Sequence, residues 1–340
     1  MDAPSNNRDR TKAPERGYGS PVENLPADNI AEDGAPVDDT TLPAKSDDKG
    51  KVIRFTAQDG LTLAARVFGD HNPDRLPVLC LPGISRNSKD FIRLINFFSR
   101  ETQPARQVVA VDYRGRGQSD ADPDWTRYSP MIEARDVLTA AEALGLHKTV
   151  LVGTSRGGII AMILGALRPG LMAGIVLNDI GPVIEGTGLA RIKKYLAAVS
   201  APKDLDDAVH RLKRITGAHF TALEEDDWQA MADALFVQGE NGLALDFDPG
   251  LIKVVNSIDL ESAIPMLWPQ FDSLTGHPVL SIRGENSDIL SEKTVKEMMQ
   301  HHAKLETLTV PGQGHAPLLR DSATLNRIAA FALRCDADRH

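Results

Sequence analysis

"LVGTSRGGII", residues 151–160, decides how the rest of the chain is read. Apolar residues run into Ser155, which stands between Gly153 and Gly157, and a second apolar run follows. The pattern Gly-x-Ser-x-Gly is weak evidence alone, so its neighbours carry the argument. Upstream, "KTVLVGTS" reads as a short buried strand; downstream, "RGGIIAMILGAL" reads as an apolar helix stopped by Pro169-Gly170. A serine on so sharp a strand-to-helix turn needs glycines beside it, because a Cβ at either place would clash. Such a turn holds the hydroxyl above the carboxyl edge of a sheet, at a helix N-terminus that favours negative charge.

The same rhythm extends in both directions. "KVIRFTAQDGLTLAARVFG" predicts two strands joined at Asp59-Gly60, and "LPVLCLPG" a buried strand ending at Pro82-Gly83. "SKDFIRLINFFSR" predicts a helix capped by Asn87 or Ser88, with Phe91, Leu94, Ile95 and Phe98 inward. "QVVAVDYRGRG" is a strand running into glycines, and Ser129-Pro130 opens another helix. "MAGIVLNDIG", "HPVLSIRG" and "LETLTVPG" are further strands; "SEKTVKEMMQHH" and "DSATLNRIAAFALR" are further helices. Alternating helices and continuously apolar strands indicate an α/β fold, with a mostly parallel, doubly wound sheet covered on both faces. Between Val183 and Thr275 the rhythm breaks into helical patterns without convincing strands. We therefore expect one core domain, residues 51–183 and 272–340, interrupted by a helical cap at 184–271.

Composition narrows the function. Hydrophobic residues make up 42% and charged residues 25% of 340 residues, as in ordinary globular proteins. The net charge of −9 argues against nucleic-acid or anionic-membrane partners, and no apolar run is long enough to span a bilayer. Two distant cysteines, Cys80 and Cys335, build neither a disulfide framework nor a metal site, and a reducing, cytoplasmic setting is expected. Residues 1–50 hold six prolines and eleven acidic against six basic residues, and read as a disordered acidic tail. Runs such as "DLDD" and "EEDD" stand at helix starts, where the dipole favours them, and no metal or cofactor is expected.

A serine hydroxyl needs a base and a group to orient that base. His315, in "VPGQGHAPLL" after the last strand, is the base; His210, His301 and His302 sit in helical or surface-like contexts. Asp288, in "IRGENSDIL" after the preceding strand, is the acid, with Glu285 as its rival. The order Ser, Asp, His, each on a loop after a strand, is one of the known orders for a triad. The oxyanion needs two backbone N–H groups, expected from Arg156 and from Ile84 in the loop after "VLCLPG". Arg86 at the same mouth is a candidate for a substrate carboxylate, as is Arg156 by its side chain, although paired roles fit both better. Trp228, Phe236, Phe247 and Trp268 are expected in the cap's core, with Trp268 also a candidate for the substrate wall.

In this order "LCLPGISRNSKDF", "VVAVDYRGRGQSD", "LVGTSRGG", "VLSIRGENSD" and "VPGQGHAP" resemble the α/β-hydrolase family with a helical cap, over about residues 51–340. The resemblance implies that Asp112, Arg114, Gly115, Gly117 and Ser119 brace the floor of the site. Relatives commonly carry His-Gly where this chain has Pro82-Gly83. A serine nucleophile resembles esterases and lactonases; epoxide hydrolases and haloalkane dehalogenases of the family carry Asp there. The expectation is a serine hydrolase acting on an ester or lactone of a small, largely apolar substrate, as a monomer or homodimer. The alternatives are a C–C hydrolase of ring-cleavage diketones, a cofactor-free haloperoxidase or perhydrolase, and a hydrolase-fold ligand receptor.

Overall fold

In the computed structural model, which describes residues 50–240 and 242–337, the strand-helix alternation builds one large sheet. The expected acidic tail, Gly50 apart, lies outside the described residues. Strands β1 (Lys51–Thr56) and β2 (Thr62–Phe68) pair antiparallel across the Asp59-Gly60 turn. The chain continues through β3 (Val78–Leu81), α1 (Ile92–Asn96), β4 (Val108–Asp112), α2 (Pro130–Ala143), β5 (Thr149–Thr154), α3 (Arg156–Leu167) and β6 (Met172–Asn178). Before the sheet resumes come α4 (Gly186–Ala198), α5 (Leu205–Thr216), α6 (Glu225–Leu235), β7 (Phe236–Gly239), β8 (Gly242–Leu245), α7 (Gly250–Asn256) and α8 (Trp268–Asp272). Then follow β9 (Val279–Gly284), α9 (Glu292–His301), β10 (Leu305–Val310) and α10 (Ser322–Ala337).

Among the described residues the sheet order is β1-β2-β4-β3-β5-β6-β9-β10, parallel from β4 to β10. Residues alternate in direction along each strand. Leu79, Leu81, Val109, Leu151 and Leu177 pack with α2, α3 and α9, while Val78, Cys80, Val108, Val152 and Ile282 pack with α1 and α10. Both faces are therefore covered, and β3, β4, β5, β6 and β9 are buried along almost their whole length. Edge strand β10 alternates between exposed and half-buried positions. Asn87, Ser129 and Ser291 each accept a backbone N–H at the start of a helical segment, as local preference predicts.

The insertion between β6 and β9 has a core of its own, in which Leu212, Phe220, Trp228, Phe236, Phe247 and Leu251 pack together. Two expectations for it need correction. It is not strand-free: β7 and β8 form an antiparallel hairpin, Phe236↔Leu245 to Gly239↔Gly242. Nor does Trp268 belong to that core. It lies on α8, stacks on His301 at 4.2 Å and packs against Phe271 at the sheet's outer layer.

Candidate active site

Three loops at the carboxyl ends of the strands meet beside α3. The first carries Ser155, whose φ of 52° and ψ of −113° lie where an L-residue costs about 1–3 kcal/mol. The glycines on either side make that conformation attainable. A Cβ on Gly157 would lie 2.0 Å from the Leu81 carbonyl oxygen, and one on Gly153 2.6 Å from the Gly157 carbonyl. The turn thus packs backbone on backbone against the end of β3, and Arg156 opens α3 immediately after the serine.

The second loop follows β10 and carries His315. Asn286 and Leu318 each donate a backbone N–H to Gln313, at its carbonyl and side-chain oxygens respectively, both at 2.9 Å. Asn178 Nδ2 donates to the Pro317 carbonyl at 2.9 Å and to Thr154 Oγ1 at 3.1 Å, tying the histidine loop to the ends of β5 and β6. So held, His315 Nε2 lies 2.8 Å from Ser155 Oγ.

The carboxylate that completes the row is Asp179, not Asp288. His315 Nδ1 donates to Asp179 Oδ2 at 2.7 Å; because a carboxylate only accepts, the Nδ1 proton leaves Nε2 free to accept from the Ser155 hydroxyl. Asp179 is fully buried and also accepts from the Gly284 N–H at 2.8 Å and the Ser287 hydroxyl at 2.6 Å. Asp288 instead accepts from Arg191 of α4 at 2.6 and 2.7 Å. Burial pushes its carboxyl up, but the bond and charge of Arg191 outweigh that and hold it below the ordinary carboxylate range. The rival Glu285 is occupied elsewhere, accepting from the Gly312 N–H at 2.7 Å. Asp179 is the first residue after an apolar strand, level with Ser155, since β5 and β6 end in the pair Thr154↔Asn178.

Ser155 and His315 open into a cavity of about 170 Å³ walled by the cap. Ile84, Tyr195, Leu212, Phe220, Met231 and Leu318 form much of its lining, and Trp268 does not reach it. The four basic residues of the wall each carry a carboxylate partner. Arg86 meets Asp90 at 2.6 Å, Lys89 meets Asp246 at 2.8 Å, Arg191 meets Asp288 at 2.6 Å and Arg320 meets Asp227 at 2.7 Å. Arg156 is likewise committed, its Nε donating to Glu133 at 2.6 Å.

The floor loop is braced as its residues suggest. Arg114 donates to Asp136, Asp122 and Asp59, and Asp112 accepts the N–H groups of Ser88 and Gln118. Among the described residues no group of three or more His, Cys, Asp or Glu could hold a metal ion, and no helix is long and apolar enough to cross a membrane.

Residues 78–328 match the model of the alpha/beta hydrolase family. A 3-hydroxybutyrate-oligomer hydrolase of Cupriavidus necator is 30% identical over 270 residues, 77% of this chain and 90% of that protein. A 2-(acetamidomethylene)succinate hydrolase of Mesorhizobium japonicum is 27% identical over 70% of this chain and 81% of its own length. The crystal structure of an alpha/beta hydrolase from Novosphingobium aromaticivorans superposes with a TM-score of 0.75 at 33% identity, covering 84% of this chain and 98% of that one.

Proposed function

The chain belongs to the alpha/beta hydrolase family, and from that premise we propose that it is a serine hydrolase cleaving carboxylic esters through an acyl-enzyme on Ser155. The observation that carries this reading is the hydrogen-bonded row Ser155–His315–Asp179 at the wall of a largely apolar cavity. His315 takes the hydroxyl proton as Ser155 Oγ attacks the carbonyl carbon. Asp179 keeps the imidazole in the required tautomer and offsets the charge it gains. The carbonyl oxygen, now negative, lies against the N–H groups of Ile84 and Arg156. The latter is the first residue of α3, whose N–H has no acceptor within the helix. His315 then protonates the leaving alcohol, and water repeats the sequence on the acyl-enzyme.

The cavity favours an uncharged acyl group of modest size. Its walls are mainly apolar, and its bases are neutralised by their own carboxylates, so a substrate carboxylate there would compete with existing ion pairs. That speaks against a dicarboxylate such as the one named for the Mesorhizobium relative. It favours short esters and lactones, and it fits the uncharged acyl half of the hydroxy-acid oligomers named for the Cupriavidus relative, whose one carboxylate belongs to the leaving hydroxy acid.

The test compares the protein with Ser155→Ala on nitrophenyl esters of short acids, a lactone panel and the linear dimer of 3-hydroxybutyrate. Turnover of at least one substrate should fall about 10⁶-fold in the variant, and fluorophosphonate labelling should vanish. Undiminished turnover in Ser155→Ala would overturn the reading.

A further inference from the structure

Arg114 and Arg116, two residues apart after β4, point in different directions. Arg114 turns to the aspartates that brace the floor loop. Arg116 is 1% exposed and turns toward the loop after β3. Its Nε donates to the Ile84 carbonyl at 2.8 Å, and its Nη1 donates to the Arg114 carbonyl and to Glu133 Oε1, both at 2.7 Å. The other oxygen of Glu133 accepts from Arg156 Nε at 2.6 Å, and Arg156 Nη2 donates to the Tyr128 carbonyl at 2.6 Å. One fully buried carboxylate therefore joins the side chain that grips Ile84 to the side chain that follows the nucleophile.

Ile84 and Arg156 are the two residues assigned above to the oxyanion. We propose that Arg116 is a positioning residue for the oxyanion site, holding Ile84 by its carbonyl and fixing it, through Glu133, relative to Arg156. The inference rests on the acyl-enzyme reading. The physical need is clear from the topology, because Ile84 follows β3 whereas Arg156 follows β5. Two N–H groups on separate loops must converge on one oxygen, and apolar packing alone lets such loops slide. Planar, charge-assisted contacts do not. Two guanidinium groups on one carboxylate also leave a net positive charge behind the site, in a region with little water to screen it. Burial raises the Glu133 carboxyl, yet the attraction of Arg116 and Arg156 outweighs this and keeps it below its ordinary value, so it is ionised at neutral pH.

Arg116→Met tests this without stranding a charge, since Arg156 and Glu133 remain as a neutral pair. With a nitrophenyl ester, kcat should fall about 10²-fold while KM stays within about threefold. Affinity for an alkylboronic acid, whose serine adduct imitates the tetrahedral intermediate, should fall by a similar factor. A merely structural role would not move kcat and boronate affinity together. The proposal is overturned if both stay within about threefold of the parent protein, or if kcat falls with boronate affinity unchanged. Should Arg116→Met fail to fold, Arg116→Lys decides by the same pair of readouts. It keeps the charge but cannot grip Ile84 and Glu133 at once, and about a tenfold parallel loss is expected. Absence of fluorophosphonate labelling in the parent protein would instead overturn the acyl-enzyme reading, and this proposal with it.

Discussion

Asp179 and Asp288 stand past the ends of neighbouring strands, and they have opposite surroundings. Asp179 is fully buried, with the His315 ring, the Gly284 N–H and the Ser287 hydroxyl all on its carboxylate. Asp288 is half-buried at the cap, its two oxygens taken by Arg191 of α4. The difference comes from distance along the chain. β6 pairs with β9 as far as Asn178↔Ile282, so Asp179 is the first residue beyond the ladder and its N–H still bonds the Ile282 carbonyl at 2.7 Å. Asp288 comes six residues after Ile282, by which point the loop has turned toward the cap. The loop still serves the row, but through Gly284 and Ser287 rather than through its own carboxylate.

The sharpest way to break this comparison is to neutralise each aspartate in turn. Asp179→Asn should lower kcat about 10⁴-fold, because an amide at that place stabilises the wrong imidazole tautomer. Asp288→Asn, under the same assay, should stay within about tenfold of the parent. The reverse ranking, measured on any ester that the parent turns over, would return the orienting role to Asp288.

Much of this is legible in the sequence, and what is not has a common origin. The sheet, both its faces, Ser155 and His315 follow from local pattern: apolar runs of strand length, glycines that a Cβ would clash with, and a histidine in a glycine loop after the last strand. Asp179 was hidden because "VLNDIG" reads as one apolar strand ending in a polar pair, whereas "GENSDIL" looks like a loop made to carry an acid. Choosing between them requires strand register, which is a nonlocal property. Trp268 failed similarly. Its sequence neighbours belong to the insertion, but Leu267 is bonded to the Pro182 carbonyl at 2.7 Å and α8 packs on α3, which carries the ring away from the cavity. The β7–β8 hairpin was obscured by the helical periodicity on either side of it.

Ser287 gives a finer probe of the buried half of the comparison. Its hydroxyl donates to Asp179 Oδ2 at 2.6 Å while accepting from the Ile289 and Leu290 N–H groups at 3.2 and 3.1 Å. It thereby transmits the fold of the β9 loop to the carboxylate. Ser287→Ala removes one charge-assisted bond of about 1.5–3 kcal/mol and leaves the other two contacts of Asp179 in place. We expect kcat to fall about tenfold with KM little changed, since the lost bond orients the base and does not touch the cavity. A fall equal to that of Asp179→Asn would mean that Ser287, rather than the Gly284 N–H, dominates the orientation. No fall at all would mean that Gly284 suffices.

The smallest effect belongs to Asp288, and it is separated from the others by pH. The Asp288 carboxyl lies below its ordinary value in the folded chain, so its pair with Arg191 stabilises the fold above the unfolded value of about 3.9. That contribution is lost as pH falls through the folded value, and it is not lost at high pH. The pair is partly in water, which limits it to about 1 kcal/mol, or a melting shift of about 1–2 °C near neutral pH for a chain of this length. Asp288→Asn should therefore melt slightly lower than the parent near neutral pH, and the gap should close as pH is taken below about 3.9. High salt should narrow it as well, because a partly exposed pair is screened. Paired melting curves across that range isolate this carboxylate, since groups common to both proteins cancel in the difference. A gap that widens in acid would show that Arg191 is not what holds Asp288.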